Sequence, residues 1–174
     1  RAEPRGERIP RAMNFLTGKT PPEKSFMQAI LYAAGIGMRL KSASGNRPKI
    51  LLEFAGKSLL ERHLQSLRAV GVTRLAIVTG YQQELIRKTL TSLQKNYGIE
   101  IEQLNNPDFT EGSILSLAAS IPVLQPLARK QSVLLMDGDV LYPTQILQRL
   151  VDSPSPTALL IDRKYSTADD DPVL

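Results

Sequence analysis

Apolar and polar residues alternate with a changing period along this chain, and the changes mark its elements. Residues 27–34 form an apolar run around Ala29-Ile30-Leu31-Tyr32. Parallel sheets bury such runs on both faces, so a first strand is predicted here. Residues 35–46 are rich in Gly and Ser and read as loop; residues 48–54 read as short and extended. Leu60, Leu64 and Leu67 then recur at helical spacing. Ser58 with Glu61 three positions on makes a capping box, and Gly71 supplies the stop, so a helix is predicted over 58–70. Residues 72–79 form a second strand and 82–95 a second helix, ended by Asn96-Tyr97-Gly98. Residues 99–104 alternate as a third strand. Residues 113–124 form a helix of small residues, whose end Pro122 is expected to kink or shorten. A fourth strand is predicted over 131–136, a short helix from Pro143 to Val151, and a fifth strand over 157–162.

Strands alternating with helices imply a mostly parallel sheet covered on both faces. Ligands of such sheets bind at the carboxyl ends of the strands. The loop after the first strand and Asp137-Gly138-Asp139 after the fourth both lie at carboxyl ends. The topology therefore predicts that they share one rim.

Composition narrows this picture. The 174 residues are 42% hydrophobic and 22% charged, ordinary for one globular domain. No apolar stretch approaches the roughly 20 residues of a membrane span, and no apolar signal region opens the chain. The absence of cysteine excludes disulfides and thiolate metal sites and suits a reducing, cytoplasmic setting. The net charge is +5, but residues 1–24 hold six cations against three acids, more than half of that excess. No basic stripe with interleaved aromatics follows, so no nucleic-acid or membrane partner is expected. Residues 1–25 carry Pro4, Pro10, Pro21 and Pro22 without an apolar period. They read as a flexible leader or linker, with the domain over 26–174.

Candidate chemistry concentrates at the predicted rim. Ala33-Ala34-Gly35-Ile36-Gly37-Met38-Arg39-Leu40 lacks the third glycine of a dinucleotide fingerprint, because position 40 is Leu. Gly56-Lys57-Ser58 imitates the end of a Walker loop, but position 51 is Leu where a glycine is required. What remains is either a plain connection or a nest: Ala33 and Ala34 leave room, Gly35 and Gly37 open backbone torsions closed to other residues, and successive amides face an anion. Arg39 adds a fork that fits two phosphate oxygens. Lys49 stands where it can neutralise a second phosphate. Asp137 and Asp139 are good turn chemistry and equally good oxygen ligands for Mg²⁺. The Asp169–Asp171 run reads as a solvated loop. His63, the only histidine, reads as a packed or half-exposed helix residue and not a catalyst. With no obvious nucleophile, the set suits phosphoryl-type transfer between two bound substrates, driven by positioning and charge neutralisation.

The blocks "AILYAAGIGMRL…RPKILLEFAGKSLLERHLQSLRAVGV", "LAIVTGY", "NNPDFTEGSILSL" and "VLLMDGDVLYP" resemble, in that order, the nucleotidyltransferases that make nucleoside-diphosphate sugars and related activated phospho-alcohols. The later blocks look most like the phosphocholine and related cytidylyltransferase branch. The resemblance implies a Rossmann-like three-layer sandwich with a mixed sheet. It also implies transfer of a nucleoside monophosphate from a nucleoside triphosphate, such as CTP, to a phosphorylated small-molecule acceptor such as phosphocholine. By motif, the Gly35–Arg39 loop holds the triphosphate, Arg39 and Lys49 stabilise phosphate charge, and Asp139 binds Mg²⁺. Gly112 and Ser113 fall near the base or ribose, and Gly80 and Tyr81 in the same pocket. Sugar-1-phosphate transfer and a catalytically silent nucleotide-binding module are the alternatives. Tyr32 replaces an aliphatic residue, and Gly112 stands where some phosphocholine enzymes have asparagine. The family's second acidic metal ligand lies further along, so the chain is expected to be the N-terminal portion of the domain.

Overall fold

The computed structural model describes residues 27–37, 46–127 and 131–161. The predicted leader, Arg39, Asp162 and the Asp169–Asp171 run lie outside the described residues.

The first strand, β1 (Gln28–Ala33), is buried from Gln28 to Leu31 and half-buried at Tyr32 and Ala33. A 3₁₀ turn at Lys49–Leu51 follows, then a two-residue hairpin of β2 (Glu53–Phe54) and β3 (Lys57–Ser58). Ala55 and Gly56 both take positive φ there, +48° and +74°, as the tight turn that matches strand twist requires. Helix α1 (Leu59–Ala69) begins at Ser58, whose Oγ accepts the Glu61 amide at 3.1 Å. The reciprocal half of the box is diverted, because the Glu61 carboxylate accepts from Tyr97 Oη at 2.8 Å. At its end Val72 N donates to Leu67 O around Gly71 at φ +86°, a Schellman closure. Then come β4 (Arg74–Thr79), α2 (Gln83–Tyr97), β5 (Glu100–Asn105), α3 (Ile114–Leu127), β6 (Val133–Asp137) and α4 (Thr144–Val151).

β5, β4, β1 and β6 lie side by side in that order, every pair parallel. Leu31, Ile77, Leu134 and Met136 pack on one face against α1, α2 and α4, through Leu60, Leu64, Leu67, Ile86 and Leu147. Ile30, Ala76 and Val78 face α3 through Ala119, Val123 and Leu124 on the other. The result is the expected Rossmann-like three-layer α/β sandwich with a mostly parallel sheet. No helix among the described residues is long and apolar enough to cross a membrane.

Three expectations change. Lys49 does not lie on an extended segment: Leu51 N bonds Pro48 O at 2.9 Å, and the tight turn buries Ile50 and Leu51 together. Pro122 does not end α3, which runs to Leu127 with Pro126 also inside. Both prolines and Ala118 are exposed, so water can serve carbonyls that the missing N–H groups leave free. Residues 157–161 form no strand; Leu159 and Ile161 are 83% and 67% exposed.

Candidate active site

At the carboxyl end of β1 the chain passes from Ala33 and Ala34 into the glycine loop. Ala34 is buried, and its carbonyl accepts Tyr81 N at 3.1 Å, which ties the loop to the end of β4. Among the described residues, nothing lies within 4 Å of a Cβ placed at Gly35. Gly37 is crowded. It takes φ +68°, and a Cβ there would lie 2.5 Å from Lys49 Cγ. The lysine stem thus runs directly over the glycine backbone. Its Nζ continues to Asp139 Oδ2 at 3.0 Å, an ion pair with side chains 32% and 48% exposed.

The acids come from the neighbouring strand. Asp137 closes β6 in register with Tyr32 of β1. Gly138 turns the chain by donating its N–H to Tyr32 O at 2.8 Å. A Cβ at Gly138 would meet that same oxygen at 2.7 Å, so only glycine brings the turn this close. Burial pushes the Asp137 carboxyl above the ordinary carboxylate range, and the charge of Asp139 pushes it further. Tyr142 is pushed up to about 12, by burial first and then by Asp137, and so stays neutral.

The third wall is the loop from Asn106 to Ser113. Asn106 is 2% exposed. Its Nδ2 donates to Ser116 Oγ at 3.1 Å, its Oδ1 accepts Asp108 N at 3.1 Å, and its own N–H donates to Thr79 O at 2.8 Å. Phe109 lies over Gly80, where a Cβ would fall 2.6 Å from the phenylalanine. Gly112 has φ +138°, a torsion that side chains disfavour.

These pieces enclose one open cavity of about 640 Å³. Ala33, Ala34, Gly35, Gly37 and Lys49 line one side, Asp137 and Asp139 the second, and Gly112 and Ser113 the third. Gly80 and Tyr81 stand a layer behind, against Phe109. Sequence reasoning gave no role to Asn106, Phe109 or Gly138. The Asn-Asn-Pro-Asp run signals a turn, but nothing in it says that the asparagine is buried.

Two carboxylates on one cavity fit a hard cation such as Mg²⁺, which takes few protein oxygens and keeps water or phosphate for the rest. Among the described residues no cluster of three or more acidic, histidine or cysteine side chains offers a fuller set.

A parallel α/β sheet with a glycine loop, a lysine and a carboxylate pair on its carboxyl rim suits the nucleotidyltransferase class. Within it, residues 29–166 match the MobA-like NTP transferase domain, and the chain belongs to that family. It is 32% identical over 143 residues to CMP-5'-(3-aminopropyl)phosphonate synthase of Streptomyces rubellomurinus, which covers 82% of this chain and 22% of the relative. CTP:phosphoglutamine cytidylyltransferase of Campylobacter jejuni is 26% identical over 140 residues, 80% of this chain and 54% of that one. The inositol-1-phosphate CTP transferase of T. maritima superposes with a TM-score of 0.58 at 30% identity, over 71% of this chain and 47% of that chain. The chain thus spans about half, or less, of the length of these relatives.

Proposed function

We propose that this domain serves an Mg²⁺-dependent cytidylyltransferase, which joins CMP from CTP to a small phosphorylated or phosphonate acceptor and releases pyrophosphate. One observation carries the reading: the glycine loop, Lys49 and the Asp137–Asp139 turn meet in a single cavity, each positioned by its own backbone constraint. The three relatives support the choice of base, since their names share CTP or CMP, while their acceptors differ.

The roles follow from position. The amides around Gly35 and Gly37 cradle the triphosphate. Lys49, already over Gly37, neutralises charge on the phosphates, a role the motif also gives Arg39. Gly112 and Ser113 border the base and ribose. Asp139, with Asp137, holds the cation, and the bound cation supplies charge neutralisation at the phosphate oxygens. An acceptor oxygen then attacks the α-phosphorus in line; the bond to the β,γ-pyrophosphate breaks, and its electron pair leaves with pyrophosphate. No protein nucleophile is needed, in keeping with the side chains present.

A pyrophosphate-release assay tests this. It crosses the four common triphosphates with phosphocholine, aminoethylphosphonate, inositol 1-phosphate and sugar 1-phosphates, with Mg²⁺ present. Release is expected with CTP and at least one acceptor. No release from any pair, together with Asp139→Ala binding triphosphate as tightly as wild type, sinks the enzyme reading and leaves a nucleotide-binding module.

A further inference from the structure

His63 sits on the core-facing stripe of α1 between Leu60, Leu64 and Leu67, and is 4% exposed. A leucine or phenylalanine would fill such a position without desolvating a ring nitrogen. Burial does hold the imidazole below its ordinary value of 6.5, so it is neutral in the folded protein at neutral pH. The compensation is one contact: Nε2 lies 3.2 Å from Gly138 O. A carbonyl can only accept, so Nε2 carries the proton and donates.

That carbonyl belongs to the peptide joining Gly138 to Asp139. Fixing a planar peptide fixes where the Asp139 Cα stands, and with it the point from which that side chain departs. The preceding amide of the same turn is already held by Tyr32 O at 2.8 Å. The turn that carries both acids is therefore gripped from β1 at Gly138 N and from α1 at Gly138 O. Further ties run from the same helix. The Tyr142 ring lies 5.8 Å from the His63 ring, tilted by 59°, and Ser66 Oγ meets Thr144 Oγ1 at 2.9 Å. Lys49, just upstream of α1, meets the side chain of the second acid.

We propose that His63 is a positioning residue, which sets the aim of Asp137 and Asp139 through the Gly138 carbonyl and thereby sets the affinity of the site for a divalent cation. It touches neither substrate nor cation. The inference deepens the cytidylyltransferase reading and rests on it for the presence of the ion.

The test compares wild type with His63→Phe, which keeps a ring and loses the donor, and His63→Gln, whose amide can stand in for Nε2–H. Mn²⁺ binding is read by electron paramagnetic resonance. The Mg²⁺ dependence of pyrophosphate release is read alongside, with kcat and the KM for CTP at saturating Mg²⁺. His63→Phe should weaken Mn²⁺ binding about 10-fold or more, the usual effect of losing a group that orients a ligand. The half-saturating Mg²⁺ concentration should rise in step, while kcat at saturating Mg²⁺ moves far less. His63→Gln should recover most of the Mn²⁺ affinity. A merely structural histidine would lower the melting temperature of His63→Phe and leave its Mn²⁺ affinity unchanged, which overturns the proposal. If His63→Phe does not fold, His63→Asn, one carbon shorter than Gln, replaces it; equal Mn²⁺ affinity in Asn, Gln and wild type is then the overturning result. His63-dependent Mn²⁺ binding without pyrophosphate release upholds this inference and removes the catalytic reading. Activity with His63-independent Mn²⁺ binding does the reverse, and no Mn²⁺ binding by wild type removes both.

Discussion

Gly37 couples the glycine loop to the lysine, and a single methyl group is enough to separate them. An alanine there must hold φ near +68°, which costs about 1–2 kcal/mol for an L-residue. Its Cβ would also overlap Lys49 Cγ at 2.5 Å, so the lysine stem must leave its track. Gly37→Ala should therefore lower stability in urea by about 1–2 kcal/mol. It should cut kcat/KM for CTP by about 100-fold, the scale of an ångström-level displacement of a charge-stabilising group. Steady-state kinetics beside a urea titration check both; unchanged kinetics would show that the contact does not position Lys49. The two glycines were visible in the sequence as a loop open to close approach. That Lys49 lies near this loop was expected; that its stem crosses Gly37 itself was not, because Lys49 stands on a 3₁₀ turn that no periodicity encodes. Gly80 shows the same limit. A glycine after a strand signals proximity, but only the packing of Phe109 shows which neighbour is near.

Elements were legible wherever a buried face imposes a period. Four strands and four helices fall within a few residues of their expected ranges, since β1, α1 and β4 each write their burial directly into their leucines, isoleucines and valines. Residues 157–161 show where this fails. Their composition fits a strand, but a strand exists only beside a hydrogen-bonding neighbour, and propensity does not supply one. The Asn106–Ser113 loop fails in the opposite sense, being polar in sequence yet anchored by a buried side chain. Asn106 joins β4, its own turn and α3 through three bonds. Asn106→Ala frees the loop from α3 at Ser116 and should lower stability by about 1–3 kcal/mol, because buried Ser116 loses its partner. Since Gly112 and Ser113 border the cavity while the acids and Lys49 are untouched, the KM for CTP should rise more than kcat falls. A kcat loss with unaltered KM would place this loop elsewhere in the reaction.

At the scale of the whole molecule, the cavity joins charges that are paired with each other, and on the proposed reading a ligand re-pairs them. The Lys49–Asp139 bridge is partly exposed on both sides, and bridges of that kind contribute little to stability. Under the proposed function, triphosphate and cation together would offer each partner a stronger opposite charge, so opening the bridge would cost little of the binding free energy. Ligand binding to the folded state alone stabilises it by about 2.7 kcal/mol at 100 times Kd. For a chain of this size that raises the melting temperature by roughly 5–10 °C. CTP with Mg²⁺ should produce such a shift in a thermal melt, and CTP with EDTA a clearly smaller one, because Asp137 and Asp139 then repel the phosphates unscreened. Asp139→Asn should melt alike with CTP in Mg²⁺ and in EDTA, since the second carboxylate that makes the pair a cation site is gone. Equal shifts for wild type in Mg²⁺ and EDTA would mean that the acids do not hold the ion. The carboxyl rim would then be a triphosphate site built from the glycine loop and Lys49 alone, with the carboxylate turn serving only to pin the lysine.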